Sequence, residues 1–329
     1  MRRLRMEKKR NGGRNEEDRL SDLPDGVLLH IMEFLPTRQA VQSSVLSKRW
    51  KNIWKSLTIL SLKPFNGIRK YNRFLSHVLS NRDHSVSLHN LYLTVFISTA
   101  PKLLNNAIKY AALHHLQKLT LYIDFKFKEI PNSFVPLIFN CQSLTFLDLF
   151  ISSSLSSFEL PPSLLLPSLK TLHLSNVTFP ATDNDCVEPF STCTSLTTLI
   201  LRHSMNHQSA QTLCISSPSI STLKLKNMVH CHTFIPKIVL SVPNMSSFTL
   251  ENSPSSMRYE LSCTCHLPFL KEVKIDDRVH IHSSIIINWL GLFSTVTTLT
   301  LSSHTLYILL KLYIVIFLSM EFCYIGFER

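Results

Sequence analysis

From residue 88 onward the chain repeats one short phrase: apolar, two variable positions, apolar, one variable position, apolar. It reads Leu88/Leu91/Leu93, Leu116/Leu119/Leu121, Leu144/Leu147/Leu149, Leu169/Leu172/Leu174 and Leu196/Leu199/Leu201. It continues as Ile220/Leu223/Leu225, Met245/Phe248/Leu250, Leu270/Val273/Ile275 and Val296/Leu299/Leu301. Successive phrases begin 28, 28, 25, 27, 24, 25, 25 and 26 residues apart, the period of a solenoid in which each turn is one supersecondary unit. The last two apolar positions of each phrase alternate, which puts both on one face of a strand. Pro167, Pro218, Pro243 and Pro268 precede four of the phrases. Proline lacks the N–H that a central strand donates, so it closes the preceding segment. A single unit has no way to bury its apolar face, whereas nine stacked units share one core. At ~4.8 Å per strand they make a sheet about 40 Å across.

Residues 18–58 follow a helical period instead. Leu28, Ile31 and Leu35 recur at helical spacing, and Ser21 or Asp22 is placed to cap that helix with Pro24 in its first turn. Pro36 stops it, and Thr37 is placed to cap a second helix with Ala40, Val41, Ser44 and Val45 as its buried stripe. A third short helix carries Trp50, Ile53 and Trp54. Three helices in about forty residues make a core too small to stand without a partner.

Composition narrows the function. The chain has 329 residues, 45% of them hydrophobic, enough for a sizeable core. Its formal charge of +12 raises nucleic acid as a ligand, but the densest cations, Arg2, Arg3, Arg5 and Lys8 to Arg10, sit in a polar N-terminal tail. No nucleic-acid-reading motif accompanies them, so nucleic acid is not an expected partner. Only six glycines occur, none between Gly67 and Gly291, which leaves no glycine-rich loop to cradle a phosphate. No catalytic serine elbow or zinc-protease helix appears, and no cofactor is expected. The eight scattered cysteines and the polar N-terminus read as free thiols in the nucleus or cytoplasm. Cys263, Cys265 and His266, with His280 and His282, and the trio His230, Cys231 and His232 lack metal-site spacing, so metal binding is not expected.

The segment LSDLPDGVLLHIMEFLPTRQAVQSSVLSKRWKNIW resembles an F-box. The resemblance lies in Leu23-Pro24, the Leu28/Ile31/Leu35 stripe, Val45-Leu46-Ser47, Lys48-Arg49-Trp50 and Trp54. Together with the repeats it resembles the plant-type F-box/FBD/leucine-rich-repeat family, over roughly residues 18–308. The ladder of asparagines found in regular repeats is missing, since Asn176, Asn227 and Asn252 fall one position early. The family's C-terminal FBD module does not follow. The chain runs instead into an apolar tail, residues 306–329.

This resemblance implies an α+β chain: a three-helix F-box, then an irregular leucine-rich-repeat solenoid, a curved parallel sheet with helices and loops on its other face. The expected divisions are a disordered basic tail at 1–17, the F-box at 18–58, a helical linker into the first repeat at 59–83, the solenoid at 84–305 and the tail at 306–329. The implied role is the non-catalytic substrate-recognition subunit of a Skp–cullin–F-box ubiquitin ligase. Leu20, Leu23, Pro24, Leu28, Ile31, Leu35, Val45 and Trp50 would contact the Skp-type adaptor or support that contact, and the adaptor in turn binds the cullin. The target would lie on the outward strand row, at Tyr92, Tyr122, Phe146, Phe150, His173, Arg202 and Lys224. Alternatives are an interaction protein outside a ubiquitin ligase and a truncated, inactive family member. Leu306 to Met320 falls short of the ~20 apolar residues of a spanning helix. The tail is therefore expected to pack against the last repeat rather than enter a membrane.

Overall fold

The computed structural model describes residues 22–96, 101–125, 134–153, 158–179, 186–203, 205–206, 212–228, 237–252, 259–277, 291–293 and 296–311. The basic tail and the tail beyond residue 311 lie outside them, as do His230, Cys231, His232, His280 and His282.

Helix α1 spans Asp25–Glu33, α2 Thr37–Gln42 and α3 Trp50–Ile53, with a tight 3-10 turn at Ser43–Val45 between the last two. Leu28, Met32, Ala40, Trp50, Ile53 and Trp54 face inward and are buried. The expected side-chain caps are not used. Pro24 precedes α1, and its carbonyl accepts from the N–H groups of Val27 and Leu28 at 3.0 and 3.1 Å. Thr37 opens α2, but its buried hydroxyl accepts the Ser61 N–H at 2.7 Å, tying the helix to the first strand. Val45, expected inside, lies on the surface, because the chain tightens into the 3-10 turn there and turns it away from the core.

Ten parallel strands form the main sheet, in chain order Ile59–Leu62, Asn90–Phe96, Lys118–Phe125, Phe146–Ser153, Thr171–Ser175, Thr198–Arg202, Thr222–Lys226, Ser247–Asn252, Glu272–Asp277 and Thr298–Leu301. The first extends the repeat one turn beyond the nine phrases, since Leu57, Leu60 and Leu62 keep the same spacing and are buried. The register is unbroken: Leu60 pairs with Leu91, Leu91 with Leu119, Leu119 with Leu147 and Leu147 with Leu172. Each buried leucine contributes ~1.5–3 kcal/mol only when the next turn covers it.

Behind the sheet the early turns carry helices α4 (Ile68–Asn81), α5 (Pro101–Leu113) and α6 (Val135–Phe139). The later turns carry strands instead, in a three-stranded sheet (158–159, 177–179, 205–206) and a four-stranded one (186–187, 212–216, 237–241, 260–263). The expectation of free thiols fails at Cys186 and Cys214, which are joined by a disulfide. They sit in adjacent turns of the four-stranded sheet, where parallel pairing brings their Cα atoms to 6.6 Å across 28 residues of sequence. Cys141, Cys193, Cys263 and Cys265 are free.

Hydroxyls do at the strand starts what the asparagine ladder does elsewhere. Thr145 donates to the Gln117 carbonyl, Thr197 to Lys170, Ser221 to Thr197, Ser246 to Ser221 and Thr297 to Lys271, at 2.9–3.2 Å. At the strand ends, Asn176, His203 and Asn227 take φ of 58°, 46° and 48°, the left-handed region that asparagine tolerates better than most residues. The asparagines set aside in the sequence pattern are therefore the residues that turn the chain out of the sheet. Asn176 also donates to the Ile151 carbonyl at 2.6 Å.

The helical unit and the solenoid meet at Arg82, a fully buried guanidinium. It donates to the carbonyls of Leu57, Val86 and Ser87 at 3.0, 2.8 and 2.6 Å and to the Tyr110 hydroxyl at 3.0 Å. These groups come from the end of the helical unit, the approach to the second strand, and α5. Nearby, the buried Tyr71 hydroxyl lies 3.0 Å from the Leu62 carbonyl and 2.8 Å from that of Thr94, and burial pushes its phenol pKa up. Arg82→Met should destabilise the chain by about 3 kcal/mol or more, because three carbonyls lose their donors inside the protein. Arg73→Met, on the exposed side of α4, should stay within about 0.5 kcal/mol. Urea unfolding of both variants measures the difference.

Candidate functional site

Two surfaces stand out, one on the helical unit and one on the main sheet. Helix α1 is apolar on two sides. Leu28 and Met32 point inward, while Val27, Ile31 and Phe34, spaced to share the opposite side, are exposed. Phe34 is 78% exposed just past the end of the helix, with His30 against its edge at 5.0 Å, and Leu35 is exposed beside it. Val45 and Leu46 add a second apolar pair, 85% and 66% exposed. Clusters of large exposed apolar side chains on a small unit mark interaction surfaces. The extended segment before α1 is fixed from the third helix: Arg49 donates to the Leu23 carbonyl and pairs with Asp25 at 2.6 Å.

The predicted adaptor residues therefore separate into two groups. Ile31, Leu35, Val45 and Pro24 are on the surface, and Leu23 is half-buried. Leu28 and Trp50 are interior and support the unit from within. Leu20 lies outside the described residues. Val27, Phe34 and Leu46 were missed. Phe34 carried a signal, being a large apolar residue three positions after Ile31 and off the inward stripe.

The seven predicted target residues all project from one side of the main sheet, since they hold the outward places of the ladder. Register places Thr94, Tyr122, Phe150, Ser175, Arg202, Lys226 and Glu251 in one row, and Tyr92, Thr120, Asp148, His173, Ile200 and Lys224 in the next. Tyr122 and Phe150 stack with centroids 4.8 Å apart and planes 6° from parallel. Phe146 meets His173 edge to face at 5.3 Å, and His173 lies 3.9 Å from the Asp148 carboxylate. Later in the sheet Glu251 pairs with Lys226 at 2.6 Å and Lys274 at 3.4 Å. Burial pushes the Glu251 carboxyl up, but the two lysines outweigh it and hold the group below its usual range. Aromatics thus occupy the early strands and cations the later ones.

Two other features are less suited to a site. Cys263 and Cys265 bring their sulfurs within 3.7 Å, and burial pushes the Cys263 thiol up to about 11, which keeps it protonated. Among the described residues no group of three or more His, Cys, Asp or Glu is arranged to hold a metal.

Over residues 20–62 the chain matches the F-box domain, and over residues 104–304 the leucine-rich repeats of the FBD-associated F-box protein At5g56370. The chain belongs to the FBD-associated F-box/leucine-rich-repeat family. It is similar to the putative F-box/FBD/LRR-repeat protein At4g13965 of Arabidopsis thaliana, 33% identical over 225 residues, which cover 66% of this chain and 50% of that protein. It is also similar to the F-box/LRR-repeat protein At3g26922 of the same plant, 30% identical over 223 residues, 66% of this chain and 69% of that one. The chain spans about half the length of several curated relatives it matches. F-box/leucine-rich-repeat proteins are in general non-catalytic adaptors, in keeping with two faces built for contact.

The F-box face carries its own test. Leu28→Ala should cost 2–5 kcal/mol by opening a cavity, on the order of other buried leucine truncations. Phe34→Ala and Leu46→Ala should each stay within about 0.5 kcal/mol, since both side chains are largely in solvent. Urea denaturation of the three variants separates core residues from surface residues.

Proposed function

We propose that this chain is the substrate-recognition subunit of a Skp–cullin–F-box ubiquitin ligase. Its F-box binds a Skp-type adaptor, the adaptor binds the cullin, and the repeats hold the protein to be ubiquitinated. Other subunits perform the transfer chemistry. The observation that carries this reading is the exposed apolar surface of α1 and the following 3-10 turn, with Phe34, Val45 and Leu46 in water on a unit that already has its own core. Burying such side chains against a partner supplies ~25 cal/mol for each Å² of apolar surface removed from water. The membership of the F-box family over residues 20–62 supports the identity of that partner.

The mechanism is positional. Arg82 and the Thr37–Ser61 bond join the F-box to the first strand, so a target on the sheet is held at a fixed place relative to the adaptor. That raises the effective concentration of the target near the ligase without any catalytic group from this chain.

The full chain with both Phe34→Ala and Leu46→Ala should bind an immobilised Skp-type adaptor at least tenfold more weakly, on the order of 1.4 kcal/mol or more. Its urea midpoint should not move. Failure of the wild-type chain to bind the adaptor would remove the proposal.

A further inference from the structure

The outward face of the sheet is uneven in a way that names the chemistry of its ligand. The stack of Tyr122 on Phe150 ends at the fourth strand. In the same row the fifth strand offers only Ser175, which is 3% exposed, and the sixth offers Arg202. A small buried residue between a ring and a guanidinium leaves a notch, two strand spacings or about 10 Å wide. Thr171 and Thr198 continue it along the neighbouring row. Its far wall is cationic, with Arg202, Lys224 and Lys226 on the sixth and seventh strands.

Charge beyond that wall limits what fits. Glu251 on the eighth strand is engaged by Lys226 and Lys274. Lys224 sits between Ile200 and Thr249 in its row, with no carboxylate within ion-pair distance among the described residues. Acids flank the basic stripe on both sides: Asp124 and Asp148 on the earlier strands, Glu272 and Asp276 on the ninth. A nucleic-acid strand, charged at every nucleotide, is repelled by those flanks. A polypeptide with one or two anions fits between them.

We propose that the notch binds a target segment carrying an anionic side chain about 10 Å from an aromatic or large aliphatic one. The apolar group lies on the Tyr122–Phe150 stack, and the anion lies against Arg202 and Lys224. In an extended segment this spacing is about three residues. Carboxylate and phosphate both meet the requirement. The inference rests on the reading of this face as the target site and adds the class of segment it takes.

The test is a selection of random 12-residue peptides displayed on phage, against the full chain held on its adaptor. Enriched peptides should pair Asp or Glu with an aromatic or large aliphatic residue about three positions away. A synthetic peptide of the enriched sequence should bind at least tenfold more weakly to Lys224→Glu and to Phe150→Ala. The same peptide with Lys in place of its acid should recover binding to Lys224→Glu, which a merely misfolded surface would not allow. Replacing the acid by phosphoserine assigns the anion: tighter binding means a phosphorylated target and weaker binding a carboxylate, and either upholds the notch. No enrichment, enriched peptides without an acid, or indifference to Lys224→Glu overturns the proposal. So does tighter binding of a 12-nucleotide oligouridine than of the peptide. Adaptor retention is scored in the same samples. Failed selection with the adaptor retained sinks this inference alone, whereas loss of the adaptor by the wild-type chain sinks the ligase reading.

Discussion

A parallel strand satisfies its backbone only by pairing on both sides, and a leucine inside a solenoid turn is covered only by the turns above and below it. That mutual dependence organises the molecule. Leu60, Leu91, Leu119, Leu147, Leu172, Leu199 and Leu223 hold one register position in successive strands, and all are buried. Leu299 holds the same position in the tenth strand, which pairs on one side, and is 42% exposed. The difference measures what a neighbouring turn supplies. Just after it, Ile308 and Leu309 in the final described helical residues pack against the core, while Leu306, Tyr307 and Leu310 remain exposed.

At the other end the F-box is the neighbour. Its core is continuous with the sheet, since Trp54 and Leu57 lead directly into Leu60, and Arg82 collects the carbonyls around the junction. The helical unit therefore covers the first strand with one side and keeps Val27, Phe34, Val45 and Leu46 free for a partner on another. The sheet uses the same division. Its inward positions are nearly all aliphatic because they must pack, and its outward ones are free to vary because they need only tolerate water. Variation there lets one scaffold carry an aromatic stack, a histidine–carboxylate pair and a lysine–glutamate network side by side.

Nine of the ten strands, and the row that faces outward, were legible from spacing alone, because period two within a strand and a period near 26 between turns both follow from backbone geometry. The first strand escaped because Leu57, Leu60 and Leu62 lie 31 residues before the next phrase, outside the regular step, and directly after a helical unit. In the F-box, helical spacing identified a stripe but not its sense. Ile31 and Leu35 share spacing with Leu28, yet they lie on the surface, since α1 is apolar on two sides and periodicity does not say which side a small unit buries. The Cys186–Cys214 pair was invisible for a related reason. Cysteine spacing carries no meaning until the turn length is known, and 28 residues is one turn of the second sheet.

The account claims that one rigid chain offers two separate faces, the F-box helices to the adaptor and the outward side of the sheet to the target. Hydrogen exchange read by mass spectrometry, on the full chain alone and with a Skp-type adaptor, tests this most directly. Slower exchange is predicted across residues 27–46 on adaptor binding, with the strands Lys118–Phe125, Phe146–Ser153 and Thr198–Arg202 unchanged. Protection of those strands, with residues 27–46 unaltered, would contradict it.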